Sequence, residues 1–199
     1  MLNDISSRNV YNLGVLVSHN GSNFQAIIDA CKSKVINATV ALAISNNSKS
    51  HGLVRARSEN IPALHLSSKT HPQTLDDAIL SALEDHDIDL VVTAGYMKKL
   101  GPKTLKRYRG KIINIHPALL PKYGGTGMYG LNVHKAVLAS RDKETGITVH
   151  YVDGSYDTGE IISQTTVKVI SGDTPETLAA RVIIEEHKLL VHTLKSITG

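Results

Sequence analysis

Apolar positions along this chain change their period from segment to segment. Residues 13–17 read LGVLV, apolar without a break, and stop at the polar turn Ser18-His19-Asn20-Gly21-Ser22-Asn23. Phe24, Ile27, Ile28 and Cys31 then recur at helical spacing. Residues 40–44 predict a second strand that ends at SNNSKS, residues 52–59 a short helix, and residues 63–66 a third strand. A helical stripe of Leu75, Ile79 and Leu83 precedes the run LVVTA at 90–94, and residues 112–115 form another apolar run closed by Pro117. Strands that are apolar throughout are covered on both faces. Alternating with helices, they predict a parallel α/β sheet with right-handed crossovers. The later segments 145–152 and 161–169 alternate apolar and polar positions and are joined by DGSYDTGE, which predicts an antiparallel pair on the sheet edge. A last helix is expected to start at Asp173-Thr174-Pro175-Glu176, with a capping residue and a proline in the first turn, and to run towards Ser196.

Composition narrows the class. A chain of 199 residues with 41% hydrophobic and 20% charged positions fits one ordinary globular domain and is long enough for a sizeable core. No apolar run approaches the ~18 residues of a membrane span, and the start MLNDISSRNVYN is too polar for a signal peptide. The one cysteine, Cys31, permits no internal disulfide, so a cytoplasmic location is expected. Lysine and arginine exceed the acids by 22 − 18 = 4. The densest basic stripe, residues 103–111, lacks the aromatic interleaving of a single-strand binder, with no Trp and one Phe in the chain. Nucleic acid and membrane are therefore not expected partners, whereas a small phosphorylated substrate suits a mildly positive surface. The ten histidines show no ligand spacing, so no metal is expected.

Three segments carry candidate chemistry. The turn at 18–23 lies between a strand and a helix, where free N–H groups and the helix dipole can hold an anion; Ser22 or Asn23 could equally be a plain helix cap. In Ile113-Asn114-Ile115-His116-Pro117, Asn114 and His116 share one side of a strand near its carboxyl end. An amide and an imidazole there suit an oxyanion and a moving proton, or else form a satisfied structural pair. The loop Asp153-Gly154-Ser155-Tyr156-Asp157-Thr158-Gly159 is either a plain turn or the source of a carboxylate, Asp157, that raises the pKa of a nearby His. Met97 is either core or the floor of a pocket.

Taken together, Asn20-Gly-Ser-Asn23, Ala94-Gly-Tyr-Met97, the run from Asn114 to Tyr123 (NIHPALLPKY), and Val149-His-Tyr-Val-Asp153 leading to Asp157-Thr-Gly159 resemble one family in order and separation. The family is that of the phosphoribosylglycinamide formyltransferases, or glycinamide ribonucleotide transformylases, folate-dependent enzymes of purine synthesis. The resemblance implies a Rossmann-like, mostly parallel sheet flanked by helices with the antiparallel pair near the C-terminus. It implies a single domain over 13–199 behind an extension at 1–12. It also implies 10-formyltetrahydrofolate as formyl donor, glycinamide ribonucleotide as acceptor, and no metal. By the same resemblance Asn114, His116 and Asp157 are catalytic, and Gly21, Ser22 and Asn23 hold the ribonucleotide phosphate. Glu186 faces the acceptor amine, although from the residues alone it reads as a solvated helix position. Met97, Lys98, Lys99, Leu100, Asn114, Asp153, Tyr156 and Asp157 border the folate.

The sequence departs from the family pattern at His19, at Lys98 where an arginine is expected, and in the glycine-rich run 124–130, which reads as a lid. His134 matches a family histidine. The rival readings are formyltetrahydrofolate hydrolase, methionyl-tRNA formyltransferase and a non-catalytic Rossmann-type nucleotide-binding module. The first two add a regulatory or a C-terminal domain for which 199 residues leave no room.

Overall fold

The computed structural model describes residues 10–199. Five parallel strands form first: β1 (Tyr11–Leu16), β2 (Ala38–Ser45), β3 (Ala63–His65), β4 (Leu90–Thr93) and β5 (Ile112–His116). The antiparallel strands β6 (Glu144–Tyr151) and β7 (Ile161–Lys168) follow, and the seven lie in the order β3-β2-β1-β4-β5-β6-β7. Strand β1 therefore takes in Tyr11 and Asn12, which the sequence places in an extension; residues 1–9 of that extension lie outside the described residues.

Neighbouring residues on the central strands feed two different cores, as continuously apolar strands require. Leu13, Val15, Val92 and Ile113 pack with Phe24, Ile27 and Ile28 of α1 (Ser22–Lys32) and with Leu178, Val182, Leu190 and Leu194 of α6 (Pro175–Thr198). Leu16, Val91 and Ile112 face the opposite way, onto Ile79 and Leu83 of α3 (Leu75–Asp85), with Leu100 and Tyr108. The start of α6 is built as its sequence signature predicts. Thr174 accepts from the Thr177 N–H, Pro175 occupies the first turn, and Arg181 clamps Asp173 and the Lys168 carbonyl.

Two helices escape the hydrophobic pattern. Helix α4 (Pro102–Arg107) buries only Thr104 and so has no apolar stripe to read. Helix α5 (Leu131–Ala139) buries Val133, His134 and Val137 but starts at Gly130 without a side-chain cap, directly after the glycine-rich run. Helix α2 (His51–Ser58) lies where its sequence places it, within one residue at each end.

The strand order creates the site. From β1 the chain crosses to β2 and β3 on one side and then returns to β4 on the other side of β1. The loops after β1 and β4 therefore diverge, and a crevice opens at the carboxyl ends of the parallel strands.

Candidate active site

A cleft of about 710 Å³ occupies that crevice, within the range of small-molecule sites. One wall is the turn after β1. Gly21 sits at the N-cap of α1 with φ 72°, and a Cβ there would meet the Cα of Gly52 at 3.1 Å, so both conformation and space call for glycine. No side chain caps α1; neither Ser22 nor Asn23 serves as one, and both line the cleft with Gly21. The first-turn N–H groups of a helix have no intrahelical acceptor, and on this wall no side chain takes them up. The turn is tied to the loop after β4 by the Ser18 N–H on the Gly95 carbonyl (3.1 Å) and the Met97 N–H on Ser18 Oγ (2.8 Å). Met97, Lys98, Lys99 and Leu100 form that second wall.

The polar centre lies on β5. Asn114 and His116, two residues apart, both line the cleft. Thr93 Oγ1 donates to Asn114 Oδ1 at 2.7 Å, which sets the amide so that Nδ2 carries the free donors. One of them meets His150 Nε2 at 3.1 Å, while His150 Nδ1 donates to the Tyr151 carbonyl at 2.8 Å. His150 faces Asn114 because the antiparallel register pairs these two residues. His150 lies within the motif Val149–Asp153, where nothing in the sequence points to a role for it. Alternation along β6 marks which face it takes, and only the register says what it meets.

His116 Nε2 donates to the Tyr123 carbonyl at 2.8 Å, so the neutral ring presents Nδ1 to Asp157 Oδ2, 3.6 Å away. Asp157 comes from the loop between β6 and β7 with φ 57°, a conformation few non-glycine residues adopt, and its Oδ2 accepts the Gly125 N–H at 2.9 Å. Its Oδ1 lies 3.6 Å from His150 Nε2. Burial pushes the Asp157 carboxyl upward, but the His150 ring, the charge on His116 and the Gly125 amide together hold it below its ordinary value. His116 departs from expectation. Burial lowers its pKa, and the opposing pull of Asp157 is the smaller effect, so the resting ring is neutral rather than cationic at pH 7. A neutral imidazole beside an ionised carboxylate is set to accept a proton.

The remaining positions divide. Glu186 is not a solvated helix position: it is 7% exposed, lines the cleft and accepts from Asn23 Nδ2 at 2.5 Å. Burial raises its pKa, and Asn23 Oδ1 beside it is a buried acceptor with no partner among the described residues. Tyr156 lines the opposite rim under the Lys99 ammonium, 4.7 Å from its ring centre. Asp153 is the exception among the expected site residues. Its carboxylate turns back into its own loop, accepting from the Ser155 N–H and the Thr158 hydroxyl, and it does not line the cleft. His134, at 4% exposure, closes the cleft from α5, and residues 125–130 of the lid lie over it.

The cleft thus joins an uncapped helix N-terminus, an oriented amide, a neutral imidazole with a carboxylate behind it, and a buried acceptor pair. The formyl transferase family profile matches residues 11–194. The chain is 42% identical over 188 residues to the chloroplastic phosphoribosylglycinamide formyltransferase of Arabidopsis thaliana, covering 93% of this chain and 64% of that protein. It spans less than two thirds of that relative's length. It is also 42% identical to the phosphoribosylglycinamide formyltransferase of Haemophilus influenzae, covering 94% of this chain and 86% of the relative. Among solved structures, glycinamide ribonucleotide transformylase 1 from Symbiobacterium toebii superposes with a TM-score of 0.89 at 36% identity, over 96% of this chain and 88% of that one. With a family match over nearly its whole length and relatives of this identity, the chain belongs to the formyl transferase family.

Proposed function

We propose that this chain moves the formyl group of 10-formyltetrahydrofolate to the primary amine of glycinamide ribonucleotide, as one domain over 13–199. The observation that carries the reading is the conjunction of the anion receptor at Gly21–Asn23 with the Asn114–His116–Asp157 centre in one cleft. The phosphate rests on the free N–H groups of α1, and the acceptor amine meets Glu186 and Asn23 Oδ1. The folate lies between the 97–100 wall and the loop carrying Tyr156. Asp153 supports that loop from within.

The amine nitrogen attacks the formyl carbon, and the carbonyl π electrons move onto oxygen. Asn114 Nδ2 donates to that oxyanion with its remaining hydrogen. His116 Nδ1 takes the proton that the attacking nitrogen sheds, and Asp157 stabilises the imidazolium. The oxyanion's electron pair then re-forms the carbonyl, the bond from carbon to N10 breaks with its electrons on N10, and the imidazolium returns the proton there, leaving formylated amine and tetrahydrofolate. Asp157 thus acts during turnover, not by keeping His116 charged at rest. His150 holds the Asn114 amide in line.

The test is formyl transfer assayed with glycinamide ribonucleotide, methionyl-tRNA and water as acceptors. Transfer to the ribonucleotide alone is expected; preference for either of the others would sink the assignment.

Two variants probe the acceptor side. Ser22→Leu places bulk where the phosphate approaches the helix N-terminus. The KM for the ribonucleotide is expected to rise about 10-fold or more, the cost of one charge-assisted contact, with the KM for folate nearly unchanged. Equal rises in both would contradict a phosphate site on this turn.

Glu186→Gln keeps an acceptor for Asn23 but removes a carboxyl whose folded pKa lies above its unfolded value. Such a group contributes stability below the unfolded pKa and loses it as pH rises through the folded one. The Gln variant is therefore expected to unfold at equal or higher denaturant concentration at pH 7, while its KM for the ribonucleotide rises. A clearly less stable variant would show that the carboxylate, not the acceptor geometry, holds α6 to α1.

A further inference from the structure

In the turn after β1, the Ser18 carbonyl accepts from Asn47 Nδ2 at 3.2 Å and the Gly21 carbonyl from the Gln25 N–H of α1 at 3.0 Å. The two carbonyls between them, of His19 and Asn20, are held from behind by α2 and its N-cap, Ser50. The His19 carbonyl accepts from Ser50 Oγ at 2.8 Å and from the Gly52 N–H at 3.1 Å. The Asn20 carbonyl accepts from Arg55 Nε at 2.9 Å, and the same guanidinium donates through Nη2 to Asn20 Oδ1 at 3.3 Å and through Nη1 to Gln25 Oε1 at 3.0 Å. One planar group thus grips the turn and the first turn of α1 together.

In a trans peptide the C=O and the following N–H point in opposite directions. Drawing the Asn20 carbonyl towards Arg55 therefore turns the Gly21 N–H away from α2, and Gly21 borders the cleft. Gly21 has the left-handed conformation that this orientation needs. All three acceptors of Arg55 are neutral, and among the described residues no carboxylate lies within ion-pair distance of it, so the guanidinium keeps its charge behind the turn.

We propose that Arg55 is the positioning residue of the anion receptor: through its grip on Asn20 and Gln25 it sets how tightly the acceptor's phosphate is held, without touching substrate. The proposal rests on the phosphate site proposed above. The fork geometry carries the effect, since a guanidinium serves three acceptors in one plane and an ammonium cannot.

The experiment compares the parent protein with Arg55→Lys and Arg55→Gln. Steady-state kinetics use glycinamide ribonucleotide, the same acceptor lacking its phosphate, and the formyl folate. Binding of inorganic phosphate is titrated directly on each protein. Both variants are expected to show a KM for the ribonucleotide raised about 10-fold, the loss of one net hydrogen bond's worth of preorganisation. Phosphate Kd should rise in parallel. The kcat should stay within about twofold, and the folate KM and the kcat/KM for the dephosphorylated acceptor should not move.

Recovery of parental KM in Arg55→Lys would overturn the fork and leave charge alone as the cause. A loss shared by the dephosphorylated acceptor or the folate would overturn positioning and leave Arg55 a general stabiliser of α2. If the parent protein itself fails to use the ribonucleotide, the acceptor assignment falls, and the phosphate titration still decides whether Arg55 shapes the receptor.

Discussion

An Asn114→Ala variant is expected to fold as the parent does, to bind both substrates with near-parental KM, and to lose about 10²–10³-fold in kcat, the usual cost of one oxyanion donor. The structure says why binding should survive. Asn114 is spent on positioning itself: Oδ1 is held by Thr93 and one Nδ2 hydrogen by His150, and in the proposed mechanism the second hydrogen meets charge that exists only after attack. A group that meets developing charge contributes to the transition state and little to the ground state. Truncation leaves the Thr93 hydroxyl with the Ile113 carbonyl at 3.2 Å as an alternative acceptor, so no buried donor is stranded. Turnover near the parental level in a folded variant would remove Asn114 from the mechanism. A raised KM with unchanged kcat would make it a ground-state contact instead.

Asp157→Asn is expected to lower the plateau of kcat/KM by about 10²–10⁴-fold, the span of a general acid–base contribution, and to shift the acid limb of the pH profile to lower pH. The sign follows from the balance at His116. Burial depresses its pKa and the Asp157 charge partly offsets this. With that charge gone, only the bond to the Tyr123 carbonyl still opposes burial, so the ring protonates at still lower pH. Since the proposed mechanism requires a neutral His116 in the free enzyme, the acid limb follows that pKa downward, even as the proposed imidazolium of turnover loses its stabilising partner. NMR titration of the imidazole in both proteins reads the shift without reference to rate. An unchanged titration with near-parental turnover would reduce Asp157 to a loop residue that anchors the Gly125 amide.

Much of the architecture is local. Each of the seven strands ends within two residues of an apolar or alternating run; burial on both faces forces LGVLV and LVVTA, whereas β6 alternates although both of its faces are buried, its polar face carrying Thr148 and His150. The start of α6 is legible for the same reason, its cap and first-turn proline acting over four residues. The pairing of Asn114 with His116 needs nothing beyond the period of a strand.

What lay outside local pattern was decided by chain segments meeting across the fold. His150 gains its part from the β5–β6 register, and Arg55 from the packing of α2 behind the turn after β1. Glu186 reads as a surface position until α6 docks on α1, 163 residues from Asn23. The neutral state of His116 is the clearest case. Sequence proximity arguments count the carboxylate that raises its pKa, but the larger effect is desolvation, which depends on how completely the folded chain excludes water. Period and capping act over a few residues and can be read from order alone. Burial and charge act over ångströms in space, and only the tertiary fold sets those distances.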